Sequence, residues 1–252
     1  MALKIEVLLT PAELPSLTRR DLKKSVCVVF DVLRATSVIV TALANGAEAF
    51  IPVEEIAEAV AEKQQRPGAL LAGERDGVRI GGALAGGVEF DFGNSPREFT
   101  PDKVAGKIII STTTNGTRAL RACAKAQCVL AGSFLNLQAT ADFLTRLKTA
   151  NLVLVCAGTG ENAALEDTLA AGELCAHFAA TPGVELLDSA KIAFGAYREA
   201  KADISSAVHS AQNARRLLAN PELREDVAFC LRRNSFPIVT ILGPDGLIRK
   251  AS

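Results

Sequence analysis

Residues 26–46 read VCVVFDVLRATSVIVTALANG, and the change of period inside them decides the fold. Val26 to Phe30 is an unbroken β-branched and aromatic run, the pattern of a strand buried on both faces. Asp31 ends it. From Ser37 to Ala44 the apolar residues recur at helical spacing, and Asn45-Gly46 supplies a C-terminal cap. A strand that passes into a helix through a short polar turn is half of a βα unit.

The same junction recurs along the chain. Ile108 to Ile110 leads through Ser111–Gly116 into a helix over Thr117–Lys125, and Cys128 to Ala131 leads through Gly132-Ser133 into a helix capped by Asn136. Leu152 to Cys156 leads through Ala157-Gly158-Thr159-Gly160 into a long helix from Glu161 to His177. This alternation predicts an α/β fold, a three-layer α/β/α arrangement on a largely parallel or mixed sheet. The segment PIVTILGPDGLIRK (237–250) turns at Gly243-Pro244-Asp245-Gly246 and predicts a C-terminal β-hairpin. Residues 188–233 read as almost wholly helical, whereas the glycine-rich stretch 73–101 reads as a long ordered active-site loop. With no flexible linker, residues 1–252 are expected to form a single unit or two tightly packed lobes with the site between them.

Composition narrows the ligand. The 252 residues are 49% apolar and 22% charged, enough to bury a large core without disulfides. Lys plus Arg equals Asp plus Glu at 28 each, so no surplus field exists to hold nucleic acid or an anionic membrane. Tyr197 is the single tyrosine and tryptophan is absent, which leaves few platforms for stacking a base or a sugar. A small, charged, non-aromatic ligand remains. The apolar stretch before Thr10-Pro11 is too short for a secretory core or a spanning helix and reads as a first strand. Six dispersed cysteines with no C-x-x-C pair and only two histidines read as reduced core thiols, which implies the cytoplasm. Ala-rich helices with little charge allow a homodimer.

In such sheets the chemistry gathers at the carboxyl ends of the strands. Asp31 sits at one such end, with Arg34, Thr36 and Ser37 in the following turn. A carboxylate there can bind a metal or attack phosphorus, and the arginine can hold the anion; the plainer reading is a helix cap. STTTNGT (111–117) places five hydroxyls and an amide at a helix start, an anion seat richer than capping needs. GTGENA (158–163) matches a dinucleotide pattern, but Asp188 falls 30 positions beyond Gly158, later than that motif requires. Glu166 and Asp167 lie further on, and adjacent helical residues diverge, so one of the two is expected to face the site. Glu74, Arg75, Asp91, Asn94 and Ser95 complete the set. Carboxylates and amide oxygens without clustered His or Cys favour a hard ion such as Mg²⁺, and His177 and His209 read as packing or surface residues.

Other phosphatase and nucleotide chemistries are not encoded. Leu33 stands where a D-x-D motif needs its second acid, Asn162 stands six residues beyond Cys156 where a cysteine phosphatase needs Arg, and there is no P-loop motif.

Five segments, in one order, carry a resemblance: Asp31-Val-Leu-Arg-Ala-Thr-Ser37, Ala72-Gly-Glu-Arg75, Gly93-Asn-Ser-Pro96, Thr113-Thr-Asn-Gly-Thr117 and Glu166-Asp-Thr-Leu-Ala-Ala-Gly172. Together they resemble the 2-phosphosulfolactate phosphatase family over about residues 5 to 245. The resemblance implies an α/β/α fold with the site in a cleft, and an Mg²⁺-dependent phosphatase that releases phosphate and 3-sulfolactate on a route to coenzyme M. The chain departs from the family at Gly81 to Asp91, which is longer and carries Glu89 where Gly is usual, so the pocket's outer wall differs. On this reading Asp31, Glu74 and one or both of Glu166 and Asp167 surround Mg²⁺. Arg34, Arg75, Asn94, Ser95 and the turn Thr113, Thr114, Asn115, Gly116 and Thr117 hold the anionic groups of a small phosphate ester. The attacking group is water or Asp31 itself. A nucleotide-binding oxidoreductase using GTGENA and a non-catalytic anion-binding protein are the alternatives.

Overall fold

A computed structural model describes residues 3–147 and 149–251. The first half of the chain gives β1 (Leu3–Leu8), α1 (Leu14–Leu17), β2 (Ser25–Phe30), α2 (Ala35–Ala44), β3 (Ala49–Val53), α3 (Ile56–Gln65), β4 (Leu70–Arg75), β5 (Val78–Arg79), α4 (Pro101–Val104), β6 (Ile108–Thr112) and α5 (Gly116–Ala122). The second half gives β7 (Cys128–Gly132), α6 (Leu137–Arg146), β8 (Asn151–Cys156), α7 (Leu165–Phe178), β9 (Val184–Leu186), α8 (Asp188–Ala200), α9 (Ile204–His209), α10 (Gln212–Leu218), α11 (Arg224–Cys230), β10 (Thr240–Leu242) and β11 (Ile248–Lys250).

The strands form one mixed sheet in the order β5-β4-β6-β3-β11-β10-β7-β2-β8-β1-β9. Two parallel blocks are visible in it: β4, β6 and β3 pair in parallel, as do β7, β2, β8, β1 and β9. The expected hairpin of β10 and β11 lies between them, antiparallel to β7 on one side and to β3 on the other. It joins two sheets into one.

β2 shows why a continuous apolar run folds this way. All six of its residues are buried, and their alternation divides them between two cores. Val26, Val28 and Phe30 pack with α6, α7 and the α8–α11 region, while Cys27 and Val29 pack with α1, α2 and α5. These are the outer layers of the α/β/α sandwich. A third, smaller core lies under α3 and the glycine-rich stretch, where Ile80 and Phe90 meet Leu71 and Ile110. Among the described residues no helix is long and apolar enough to cross a membrane. The six cysteines are unpaired.

Two helix starts differ from expectation for local reasons. Asn136 stands at the N-cap of α6 as expected, but its side chain serves the 3₁₀ turn before it: Asn136 Oδ1 accepts from Ser133 N at 2.9 Å, while Ser133 Oγ accepts from Leu135 N at 3.2 Å. Before α7, Thr159 N donates to Asn162 O and Asn162 N to Thr159 O, at 2.9 and 3.1 Å. That closed turn delays the helix to Leu165.

Candidate active site

Register brings the site together. Phe30 stands opposite Cys156 and Gly73 opposite Thr112, so the chain leaves β2 and β8 level at Asp31 and Ala157, while Thr113, just past β6, comes level with Glu74 near the end of β4. Asp31, Glu74, Thr113 and Gly158, two from each parallel block, line one cavity of about 360 Å³.

Asp31 serves as cap and site residue together. Its Oδ1 accepts from Ala35 N at 3.1 Å, while Thr36 Oγ1 accepts from Asp31 N and donates to Asp31 O. Its Oδ2 faces Gly116: a methyl group at position 116 would lie 2.6 Å from that oxygen and 2.6 Å from Ala35 Cβ. Only glycine lets the two turns approach so closely.

Three further carboxylates surround Asp31. Asp167 accepts from Val32 N at 2.8 Å and Gly158 N at 3.0 Å, tying the first turn of α7 to the ends of β2 and β8. Glu74 accepts from Thr114 N and Oγ1 with Oε1 and from Gly77 N with Oε2, at 2.7–3.1 Å. Glu166 Oε1 accepts from Asn213 Nδ2 at 3.1 Å, but its Oε2 is buried without a partner, as is Asn115 Oδ1. Glu166 and Asp167 are both buried, at 1% and 2% exposure, and neither lines the cavity, whereas the sequence leads one to expect one of the two to face the site.

This is an acid cluster short of positive charge. Burial raises the Asp31 carboxyl to about 7, with the neighbouring charges of Glu74 and Glu166 adding to it and the Ala35 N–H and Arg34 opposing it. Burial, then the charges of Asp31 and Glu166, hold Asp167 well above the usual carboxylate range, and burial also raises Glu166. Arg34 does not balance them, because its guanidinium already donates to buried Asp226 at 2.7 Å. Among the described residues no three His, Cys, Asp or Glu side chains are gathered as a ready metal centre. What stands open are individual oxygens, the donor type that a hard cation selects.

The hydroxyl-rich turn forms the opposite wall. Thr113, Thr114 and Asn115 line the cavity, and Asn115 Nδ2 donates to Ala157 O and Gly160 O at 2.8 and 2.9 Å, locking the turn to the loop after β8. Thr117 points back, its Oγ1 donating to Thr113 O at 3.0 Å. Asn94 lines the cavity, whereas Ser95 donates to Asp226 Oδ1 at 2.6 Å. Arg75 is turned away. Its guanidinium donates to Glu74 O, Glu54 O and Thr112 Oγ1, because alternation along β4 sends residues 74 and 75 to opposite faces. Asp91 supports Leu71 N, and His177 stacks edge-on against Phe178 elsewhere.

Three contributors come from helices that the motifs do not reach. Asn213 and Arg216 on α10 line the cavity, and Asn213 Nδ2 also donates to Leu33 O at 2.6 Å. Asp226 on α11, fully buried, gathers Arg34, Ser95 and Arg97 at 2.6–2.8 Å. A polar pair one turn apart in QNARRLL was the one sequence signal for the first two. A second cavity, about 720 Å³, adjoins the first at Arg34, Gly77 and Asn94 but contains none of the clustered carboxylates.

GTGENA has no dinucleotide cradle here. Its residues close on themselves through the Thr159–Asn162 pair before α7 begins, so no helix N-terminus opens behind the glycines.

The 2-phosphosulpholactate phosphatase family matches residues 10–244. A probable 2-phosphosulfolactate phosphatase of Caldanaerobacter subterraneus subsp. tengcongensis is 40% identical, covering 93% of this chain and 94% of its own. Similarly named proteins of Carboxydothermus hydrogenoformans and Clostridium novyi are 36% and 35% identical, over 98% and 94% of this chain and 95% and 96% of theirs. With four of its five motifs lining one cavity, the fifth tied to them through Asp167, and this likeness running nearly end to end, the chain belongs to the 2-phosphosulpholactate phosphatase family.

Proposed function

We propose that the protein is a phosphoric monoester hydrolase that cleaves the phosphate ester of a small acidic hydroxy acid, 2-phosphosulfolactate or a close analogue, with Mg²⁺ as cofactor. One observation carries this: buried carboxylates without matching positive charge share a small cavity with a turn of hydroxyls and backbone amides. Fixed acids and an anion seat repel a common ligand unless a cation stands between them.

The residues present fit such an ion. Asp167 and Glu74 have both oxygens engaged by backbone amides, which fixes them as supports. Asp31 and Glu166 would hold Mg²⁺, since each keeps one oxygen free of protein donors, and Mg²⁺ commonly takes one or two carboxylates and keeps several waters. When bound, the ion supplies charge neutralisation at the phosphoryl group. The hydroxyl of Thr113 and the backbone amides of Asn115 and Gly116 at the start of α5 bind phosphate oxygens and orient the ester, while Thr114 N and Oγ1 hold Glu74 in place. Arg34, fixed by Asp226, presents its remaining N–H donors without reorganisation, its charge being met by that partner. Hydrolysis breaks the ester P–O bond, forms a P–O bond to oxygen from water, and returns the hydroxy acid with a proton on its alkoxide oxygen. In this reading Asp31, at the carboxyl end of β2 with Oδ2 free of protein donors, attacks phosphorus or takes the proton of an attacking water.

Release of inorganic phosphate from 2-phosphosulfolactate, assayed with Mg²⁺ and with excess chelator, tests the reading. Turnover lost to chelator and restored by Mg²⁺ is expected. Turnover indifferent to chelator removes the metal, and no turnover of any small phosphate ester removes the phosphatase.

A further inference from the structure

The cavity holds two arginines in unequal circumstances. Arg34 is 3% exposed and its charge is matched by Asp226 at 2.7 Å. Arg216 is exposed at the rim, and among the described residues it forms no ion pair. No other lining side chain is cationic. Arg215, its neighbour, does not line the cavity.

Arg216 is also placed. Asn213, one turn earlier on the same face of α10, is anchored to Leu33 O and Glu166. The guanidinium lies on the bare Cα of Gly77, where an added Cβ would stand 2.8 Å from Nη2. Gly77 is the second residue of the Asp76-Gly77 turn between β4 and β5, with φ of 55° and 79° at the two positions, a geometry that Asp-Gly favours. Glu74 secures that turn by accepting from Gly77 N at 2.7 Å. The helix and the hairpin thus present a guanidinium to the cavity with its donors uncommitted.

Resting on the phosphatase reading above, we infer that Arg216 is the specificity-determining residue that receives the second acid group of the substrate. That group is an oxyanion, carboxylate or sulfonate, whose paired oxygens match the planar fork of arginine. The wall of Asp31 and Glu74 repels a second negative charge, and the charge of Arg34 is already met inside the protein. Arg216 offsets that repulsion for an ester carrying a further acid, and gives a plain alkyl phosphate nothing comparable.

Three esters that lose one acid at a time provide the test: 2-phosphosulfolactate, 2-phospholactate without the sulfonate, and isopropyl phosphate without either acid. In the full-length protein with excess Mg²⁺, Arg216→Gln is expected to lower one ratio of kcat/KM between successive esters at least about tenfold, through KM, with Arg216→Lys restoring part of it. A fall in the first ratio assigns the sulfonate to Arg216, and a fall in the second assigns the carboxylate. If the wild type turns over the esters and neither ratio moves in Arg216→Gln, the assignment is overturned while the phosphatase reading stands. If the wild type hydrolyses none of the three, that reading fails and this inference with it.

Discussion

Arg34 Nη1 donates to Asp226 Oδ2 at 2.7 Å, and the two side chains are 3% and 0% exposed. Removing one partner of a buried pair strands the other charge, which costs about 3–5 kcal/mol. Asp226→Ala is therefore expected to lower the unfolding free energy measured in urea by that order and to reduce phosphate release, since Arg34, Ser95 and Arg97 all lose their common acceptor. A change below about 1 kcal/mol in urea denaturation would mean that Asp226 is no hub.

Asp31→Asn keeps the shape of the turn and removes its charge. Phosphate release is expected to fall by about 10²–10³-fold or more, while the melting midpoint holds or rises, because the charges of Glu74 and Glu166 no longer oppose a buried carboxylate. Steady-state kinetics beside a thermal melt check both halves. Full activity in the variant contradicts the role given to Asp31.

The carboxyl cluster also sets a pH dependence. In the unfolded chain these acids titrate near pH 4, whereas in the folded protein burial raises Asp31 to about 7 and holds Asp167 and Glu166 up as well. Between those values the folded state binds protons that the unfolded state has released. The contribution is thus complete below about pH 4 and fades as pH rises through about 7. Cation-free protein is expected to melt higher at pH 5.5 than at pH 8, with Mg²⁺ restoring the difference at pH 8 because it competes with protons for the same oxygens. A higher melting point at pH 8 in chelator runs against this.

Gly116→Ala places a methyl 2.6 Å from both Asp31 Oδ2 and Ala35 Cβ. Overpacking of this kind costs about 1–3 kcal/mol, and here it also pushes the hydroxyl-rich turn away from the carboxylates. Both stability and turnover are expected to drop, and the crystal structure of the variant should show a wider gap between α2 and α5. A neutral substitution would mean that the two turns do not meet as described.

Local sequence disclosed the residues that leave strands. Asp31, Thr113 and Gly158 sit at the changes of period where βα units turn, so position alone marks them, and Glu74 lies near the end of the strand that follows Ala69. Arg75 shows the limit of that marking: in the string GER it shares a motif with Glu74, yet a period of two turns it to the other face. Asn213, Arg216 and Asp226 were hidden for another reason. They lie 180 or more residues from Asp31 in ordinary helical sequence, and only the packing of α10 and α11 against the ends of β2 and β4 brings them to the cavity. The placement of the hairpin within the sheet was equally illegible, because strand order is a property of the assembled cores and not of the turn residues.

That placement governs how firmly the two sides of the site are joined. Both parallel blocks, and every residue that faces the cavity, precede residue 240. Without β10 and β11 the two blocks share helices α2 and α5, which pack on both, but no backbone pairing. The hairpin, which touches no substrate, supplies the hydrogen-bonded continuity that sets how far apart the strand ends stand across the cavity.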